Sequence, residues 1–179
     1  MKNIFSTKER IKILQEIIFK TDRISVNNIA NQLRLSKGLI SKYFNILVKE
    51  RILKKVHSKF SVVNSPLAKG IRILLNIKNI EIKIFKKYPF IESVGLYGSC
   101  AKGENAEDSD VDLWVKVGNT GEEELASLTS ELDQKIENVK VLFLTDQKIE
   151  KIKKEDAMFY HSLVFGSIIL YGDKDGIQI

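Results

Sequence analysis

Two stretches of the chain carry side chains able to handle a polyphosphate. Gly98-Ser99 closes the apolar run Ile91–Tyr97, and ten residues later Asp110-Val111-Asp112 opens a second run, Val111–Val117. Both runs are short and rich in β-branched and aromatic residues, so they read as strands. Side chains alternate faces along a strand, which puts Asp110, Asp112 and Trp114 in one phase and Val111, Leu113 and Val115 in the other. At ~3.3–3.4 Å per residue the two aspartates lie roughly 7 Å apart on the same face. Like charges so placed repel unless a cation sits between them. Hard oxygen ligands of this kind suit Mg²⁺, which is commonly held by one or two carboxylates plus phosphate oxygens. Gly98 has no side chain to block a phosphate, and Gly98-Ser99 offers backbone N–H groups and a hydroxyl at a strand-to-helix turn. Lys102, one turn on, adds a point charge.

The full string GSCAKGENAEDSDVDLWV resembles the signature of the nucleotidyltransferase superfamily of DNA polymerase beta, and in particular its minimal stand-alone members. The shared features are Gly-Ser, a ten-residue spacer and Asp-x-Asp, with Lys102 where arginine is commoner. The resemblance implies transfer of a nucleoside monophosphate from an Mg-NTP to an acceptor hydroxyl or phosphate, with release of pyrophosphate. It implies Asp110 and Asp112 as catalytic and metal-ligating residues, Gly98, Ser99 and Lys102 as phosphate-binding residues, and two Mg²⁺ ions. It also implies a small mixed β-sheet flanked by helices. The remaining pattern agrees with that fold: a helix over 122–137, a strand over Val139–Leu144, helices over 146–154 and 156–165, and a closing strand over 166–172.

One feature departs from the family. Members usually carry a third carboxylate on the next strand, but that strand here is VKVLFL. Lys140, Leu142 and Leu144 share one phase, Val139, Val141 and Phe143 the other, and neither contains an acid. Asp146 lies just past the strand and Glu137 just before it. Two readings stay open: Asp146 substitutes for the third carboxylate, or Lys140 occupies its position and the second Mg²⁺ site is weakened.

Other residues invite chemistry. Cys100 at a helix start reads either as a stabilised thiolate or as a small packing residue. Trp114 reads as sheet packing or as a base-stacking surface. Tyr160-His161 has no acidic or metal partner in the sequence, and the lysines of 148–154 read as a solvated helix face.

The chain has 179 residues, 44% of them hydrophobic and 29% charged, enough for one ordinary domain or two small ones. No apolar run reaches spanning length; the longest, near Ser162–Tyr171, is interrupted by Gly166 and Ser167. The opening MKNIFSTKER leads into an amphipathic pattern and not a signal-peptide core. The one cysteine excludes an intramolecular disulfide. These features predict a cytoplasmic protein with no membrane partner.

Charge divides the chain. Residues 1–88 hold 20 Lys and Arg against 5 Asp and Glu, and residues 89–179 hold 9 against 18; the halves carry +15 and −9, consistent with the whole chain's +6. A strongly basic half is the usual footprint of polyanion binding.

In that basic half, Ser6–Glu9 has capping-box spacing ahead of an apolar stripe of Ile11, Leu14, Ile17 and Ile18. Ser25 precedes a second helix carrying Ile29, Ala30 and Leu33, and Ser36 a third. On the third, Ile40, Phe44, Leu47 and Val48 share one face, and Gly38, Ser41, Lys42, Asn45 and Lys49 the other. Strand-like runs near 52–56 and 60–64 follow, joined at His57-Ser58-Lys59. The segment IANQLRLSKGLISKYFNILVKERILKK resembles the winged helix-turn-helix of small prokaryotic transcription regulators, with Arg51 where a glycine often precedes the wing. Ser36, Lys37, Ser41, Lys42 and Asn45 are then expected at a major groove, and Lys54, Lys55 and Lys59 of the wing against the DNA backbone or minor groove.

Ser65-Pro66 marks a break, after which residues 67–88 read as one long basic helix ended by Pro89. The expected class is α+β: a winged helix-turn-helix domain (1–64), a linker helix (65–88) and a nucleotidyltransferase domain (89–179). Two functions stay open: a nucleotidyltransferase whose winged helix targets it to DNA or regulates its own operon, and a DNA-binding regulator or antitoxin-like protein whose transferase domain is impaired. Expected partners are an NTP and duplex DNA, with a homodimer through the linker or winged helix and a toxin-type protein as further candidates.

Overall fold

The structure is a computed structural model and describes residues 3–172 and 177. The chain forms two compact units. One comprises the residues up to Leu75 together with Gly103–Glu107; the other comprises Asn76–Lys102 and the chain from Asp108 onward.

In the first unit, α1 (Lys8–Ile17), α2 (Val26–Leu33) and α3 (Lys37–Lys49) begin at hydroxyl N-caps. Thr7, Ser25 and Ser36 accept from the backbone N–H of Arg10, Asn28 and Leu39, each satisfying one orphan amide of the first turn. Thr7, not Ser6, caps α1; the Ser6 hydroxyl instead accepts from the Arg10 guanidinium. Strands β1 (Leu53–Val56) and β2 (Lys59–Val62) pair antiparallel, and Ile24 bridges to Phe60. Arg51 sits at φ 57°, so this arginine adopts the left-handed conformation that glycine reaches at no steric cost. Ile13, Leu14 and Ile17 of α1 join Ile40, Phe44 and Leu47 of α3 in one core, with Phe44 edge-on to Phe60. Tyr43 is also buried there and its hydroxyl donates to the Ile4 carbonyl.

Helix α4 runs from Pro66 to Asn79 and stops; a separate 3-10 turn covers Ile82–Lys87. The single helix expected over 67–88 is therefore broken. Its isoleucines serve two cores: Ile71 and Leu75 pack in the first unit, and Ile80, Ile84 and Phe85 in the second.

The second unit is built on a four-stranded sheet of order β5-β4-β3-β6: β3 is Ile91–Tyr97, β4 Val111–Val117, β5 Val139–Leu144 and β6 Ile168–Gly172. β3 runs antiparallel to β4 and β6, and β4 runs parallel to β5. The helices are α5 (Gly98–Lys102), α6 (Glu122–Lys135), α7 (Asp146–Glu155) and α8 (Ala157–Gly166). Alternation assigns the faces. Val94, Leu96, Leu113 and Val115 pack with Leu128 and Leu132 of α6, while Trp114 and Leu144 pack with Ile149 of α7 and Tyr160 and Leu163 of α8. Among the described residues no helix is long and apolar enough to cross a membrane.

Candidate functional site

The site forms at the end of β3 and the start of β4, which register brings side by side: Tyr97 pairs with Asp112, and Gly95 with Trp114. The chain turns from β3 into α5 at Gly98, whose φ of 69° is a left-handed conformation. Glycine is needed here for a second reason. A Cβ at residue 98 would overlap Oδ2 of Asp112, so the backbone of this turn lies directly against one of the paired carboxylates. Ser99 follows, half-buried, and Lys102 is exposed at the end of α5.

Asp110 and Asp112 are both partly exposed and in the same strand phase. Burial pushes the Asp112 carboxyl above its ordinary value, and repulsion from Asp110 adds to the rise, with Lys140 pulling the other way. Parallel pairing of β4 with β5 sets Lys140 opposite Asp112. The Lys140 ammonium lies 2.6 Å from Oδ2 of Asp110, and the carboxylate holds the lysine above its usual value.

Asp146 does not substitute for the missing acid. β5 carries it to the opposite end of the sheet, where it pairs with Lys116 at 3.1 Å. Lys116 is four residues beyond Asp112 on the same strand, about 13 Å at ~3.3 Å per residue. Among the described residues no group of three or more His, Cys, Asp or Glu side chains is placed to hold a metal ion. The donor set fits a divalent cation that takes two carboxylates and completes its shell with phosphate oxygens.

Sequence reasoning missed Tyr97. Its pairing with Asp112 puts it on the carboxylate face, where its ring meets Phe159 edge-on and burial, followed by the Asp112 charge, raises its phenol. Its place immediately before Gly98, two residues on from Gly95 in strand phase, was the available signal.

Trp114 is packing. It is fully buried, its indole N–H donates to the Ser167 hydroxyl at 2.9 Å, and its ring lies over Gly95. Cys100 is packing too: it is 1% exposed, its Sγ–H donates to the Asp110 carbonyl, and burial pushes its thiol up to about 11, with Asp112 adding to the rise. Since the thiolate is the reactive form, alkylation of the native protein by iodoacetamide at about pH 8 should run roughly 10²-fold slower than that of an ordinary thiol of pKa ≈ 8.5. Mass spectrometry of timed samples reads this, and labelling as fast as in denaturant would contradict the packing assignment.

The Ser36 hydroxyl is occupied as the α3 cap. Lys37, Ser41, Lys42 and Asn45 of α3 and Lys54, Lys55 and Lys59 of the hairpin are all exposed within the first unit.

The family model "Polymerase beta, Nucleotidyltransferase" matches residues 78–175, more than half of the chain. No curated protein matches. Solved structures with similarity include a mutant of the toxin-antitoxin MntA-HpeT, at 17% identity over 52% of this chain and 71% of that chain, TM-score 0.40. A toxin-antitoxin with AMP-PNP is 22% identical over 55% and 75%, TM-score 0.38. The tri-AMPylated Shewanella oneidensis HEPN toxin in complex with MNT antitoxin is 21% identical over 56% and 73%, TM-score 0.34. At these TM-scores none of them bears on the function of this chain.

Proposed function

The chain belongs to the polymerase beta nucleotidyltransferase family, and from that premise we propose that it transfers a nucleoside monophosphate from an NTP to an acceptor oxygen. The observation that carries this reading is the contact of the Gly98 turn with the Asp112 carboxylate, which sets a phosphate-accessible backbone beside a pair of hard anionic ligands. In the reaction an acceptor oxygen bonds to the α-phosphorus, the bond from that phosphorus to the bridging oxygen breaks, pyrophosphate leaves with that bond's electron pair, and the acceptor's proton passes to solvent water. The backbone N–H groups of the Gly98-Ser99 turn and the Ser99 hydroxyl would donate to the triphosphate, and Lys102 would add a positive charge where the leaving group gains a negative one. Asp110 and Asp112 would hold Mg²⁺, which supplies charge neutralisation and orientation of the reacting phosphate. Calorimetric titration with each NTP, with and without Mg²⁺, tests the reading; heat of binding that needs both Mg²⁺ and a triphosphate is the expected result. The ion pair of Lys140 with Asp110 favours a second reading, a transferase unit that binds nucleotide without turning it over. Absence of labelled NMP transfer despite Mg²⁺-dependent binding would select it.

We also propose that residues 1–64 act as a winged helix on duplex DNA. Support comes from the exposed polar and basic face of α3, the exposed lysines of the hairpin and the excess of positive charge. Ser41 and Asn45 would meet base edges, and the lysines phosphates. Binding by the full chain should fall steeply with salt through counterion release. Lys54→Ala and Lys59→Ala should each weaken all sequences alike and lower the slope of log affinity against log salt by about 0.9. Asn45→Ala should shift sequence preference instead. Fluorescence anisotropy across salt concentrations reads both effects, and a flat salt profile would rule out the phosphate contacts.

A further inference from the structure

Lys140 is the one cationic side chain that meets the paired carboxylates in an ion pair among the described residues. Parallel register fixes its place, since residue 140 lies directly opposite Asp112 on the neighbouring strand. Its ammonium, 2.6 Å from Oδ2 of Asp110, takes up the carboxylate that would otherwise be shared with a metal ion. Asp112 makes no ion pair among the described residues, and it is the one pressed against the Gly98 turn. The two carboxylates are thus unequal: one faces the phosphate-binding turn and is available, the other is already neutralised by a side chain. Among the described residues no third carboxylate, histidine or cysteine joins them in a group able to complete a second ion's shell. A second divalent cation would have to displace Lys140 or sit beside its positive charge with a single shared carboxylate to hold it.

We propose that the Lys140 ammonium occupies the position of a second cation, so that the nucleotide-bound site takes one divalent ion and not two. Lys140 is a positioning residue: it holds Asp110 in place and supplies one fixed positive charge on the side of the site away from the Gly98 turn. Asp112, with the oxygen of Asp110 that Lys140 leaves free, would hold the one divalent ion, which would supply charge neutralisation to the triphosphate. The inference rests on the nucleotidyl-transfer reading, since it concerns the site that would hold the nucleotide.

Counting bound ions separates the two. The full chain, mixed one-to-one with an NTP analogue whose α,β-bridge is methylene, is titrated with Mn²⁺ and free Mn²⁺ is read by electron paramagnetic resonance. One tightly bound Mn²⁺ per complex is expected for the parent and for Lys140→Arg, which keeps a cation in place. Lys140→Asp, which exchanges the cation for a ligand, should bind two. The Lys140 side chain is 64% exposed, so these variants are expected to fold, and circular dichroism with an unchanged melting curve verifies it. Two bound ions in the parent, or one in a folded Lys140→Asp protein, would overturn the inference alone. A parent that takes up neither the analogue nor Mn²⁺ beyond what the analogue binds free in solution would overturn the nucleotidyl-transfer reading and this inference with it.

Discussion

Asp110→Asn combined with Asp112→Asn is expected to lower Mg²⁺-dependent NTP affinity by roughly 10²-fold or more, because even outer-shell partners of a metal site cost 10–100-fold when removed. The same protein should fold at least as stably as its parent in the absence of divalent ions. Burial and then the neighbouring Asp110 charge raise the Asp112 carboxyl above its ordinary value, so the ionised form is less favourable folded than unfolded. For an acid whose folded pKa is raised, the folded state binds the proton more tightly. Stability without metal therefore increases as pH falls through the folded value, and the charge detracts from stability above it. Asparagine removes that unfavourable charge at all pH values. Asp110→Asn also frees Lys140, but both partners are well exposed, so loss of the pair costs little. The parent should lose Mg-NTP affinity as pH falls toward the raised Asp112 value, since protons and the cation compete for one carboxylate. Calorimetry on parent and double variant, joined to thermal melts without metal, checks both halves. Equal NTP binding by the two proteins would place the site elsewhere.

Gly95→Ala is expected to destabilise the second unit by about 3 kcal/mol, at the upper end of overpacking penalties. A Cβ there would lie inside the Trp114 indole, overlapping its Cε2, Cζ2 and Nε1. The indole has nowhere to retreat: it is fully buried, hydrogen-bonded to Ser167 and packed with Leu144, Ile149, Tyr160 and Leu163. Relief requires Trp114 to leave its rotamer, which sacrifices that bond and opens the seam to α7 and α8. For a unit of this size the melting temperature should fall by roughly 10–20 °C. Trp114→Leu in the Gly95→Ala background should recover part of the loss, although Trp114→Leu alone is destabilising through the cavity it leaves. Differential scanning calorimetry on the four proteins of the cycle gives the coupling. Independent, additive losses would show that Gly95 and Trp114 do not press on each other. Trp114 is also two residues from Asp112 on the same face, so Gly95→Ala should weaken Mg-NTP binding in the protein that remains folded.

Much of the site was legible in the sequence because its rules are local. Alternation along a strand puts Asp110 and Asp112 on one face whatever the strand pairs with. A left-handed turn calls for glycine at residue 98, and a hydroxyl followed by an apolar stripe marks the start of a helix, as at Ser25 and Ser36. The same local rules located β3, β4 and β5 by their bounds and ordered three helices ahead of a hairpin. What the sequence left open depended on partners distant in the chain. Whether Lys140 or Asp146 meets the aspartates is decided by the parallel register of β4 with β5, which sets Lys140 against Asp112 and carries Asp146 to the far end. Trp114 could have faced a base or a core; α7 and α8 closing over it made it core. The break after Asn79 falls between residues that pack in different cores, Ile71 and Leu75 in one and Ile80, Ile84 and Phe85 in the other, and Tyr97 becomes a neighbour of Asp112 only through antiparallel pairing. Propensity and periodicity act over a few residues and can be read from them, whereas register and burial minimise the free energy of the whole assembled sheet, so only the tertiary structure decides which side chains share the site.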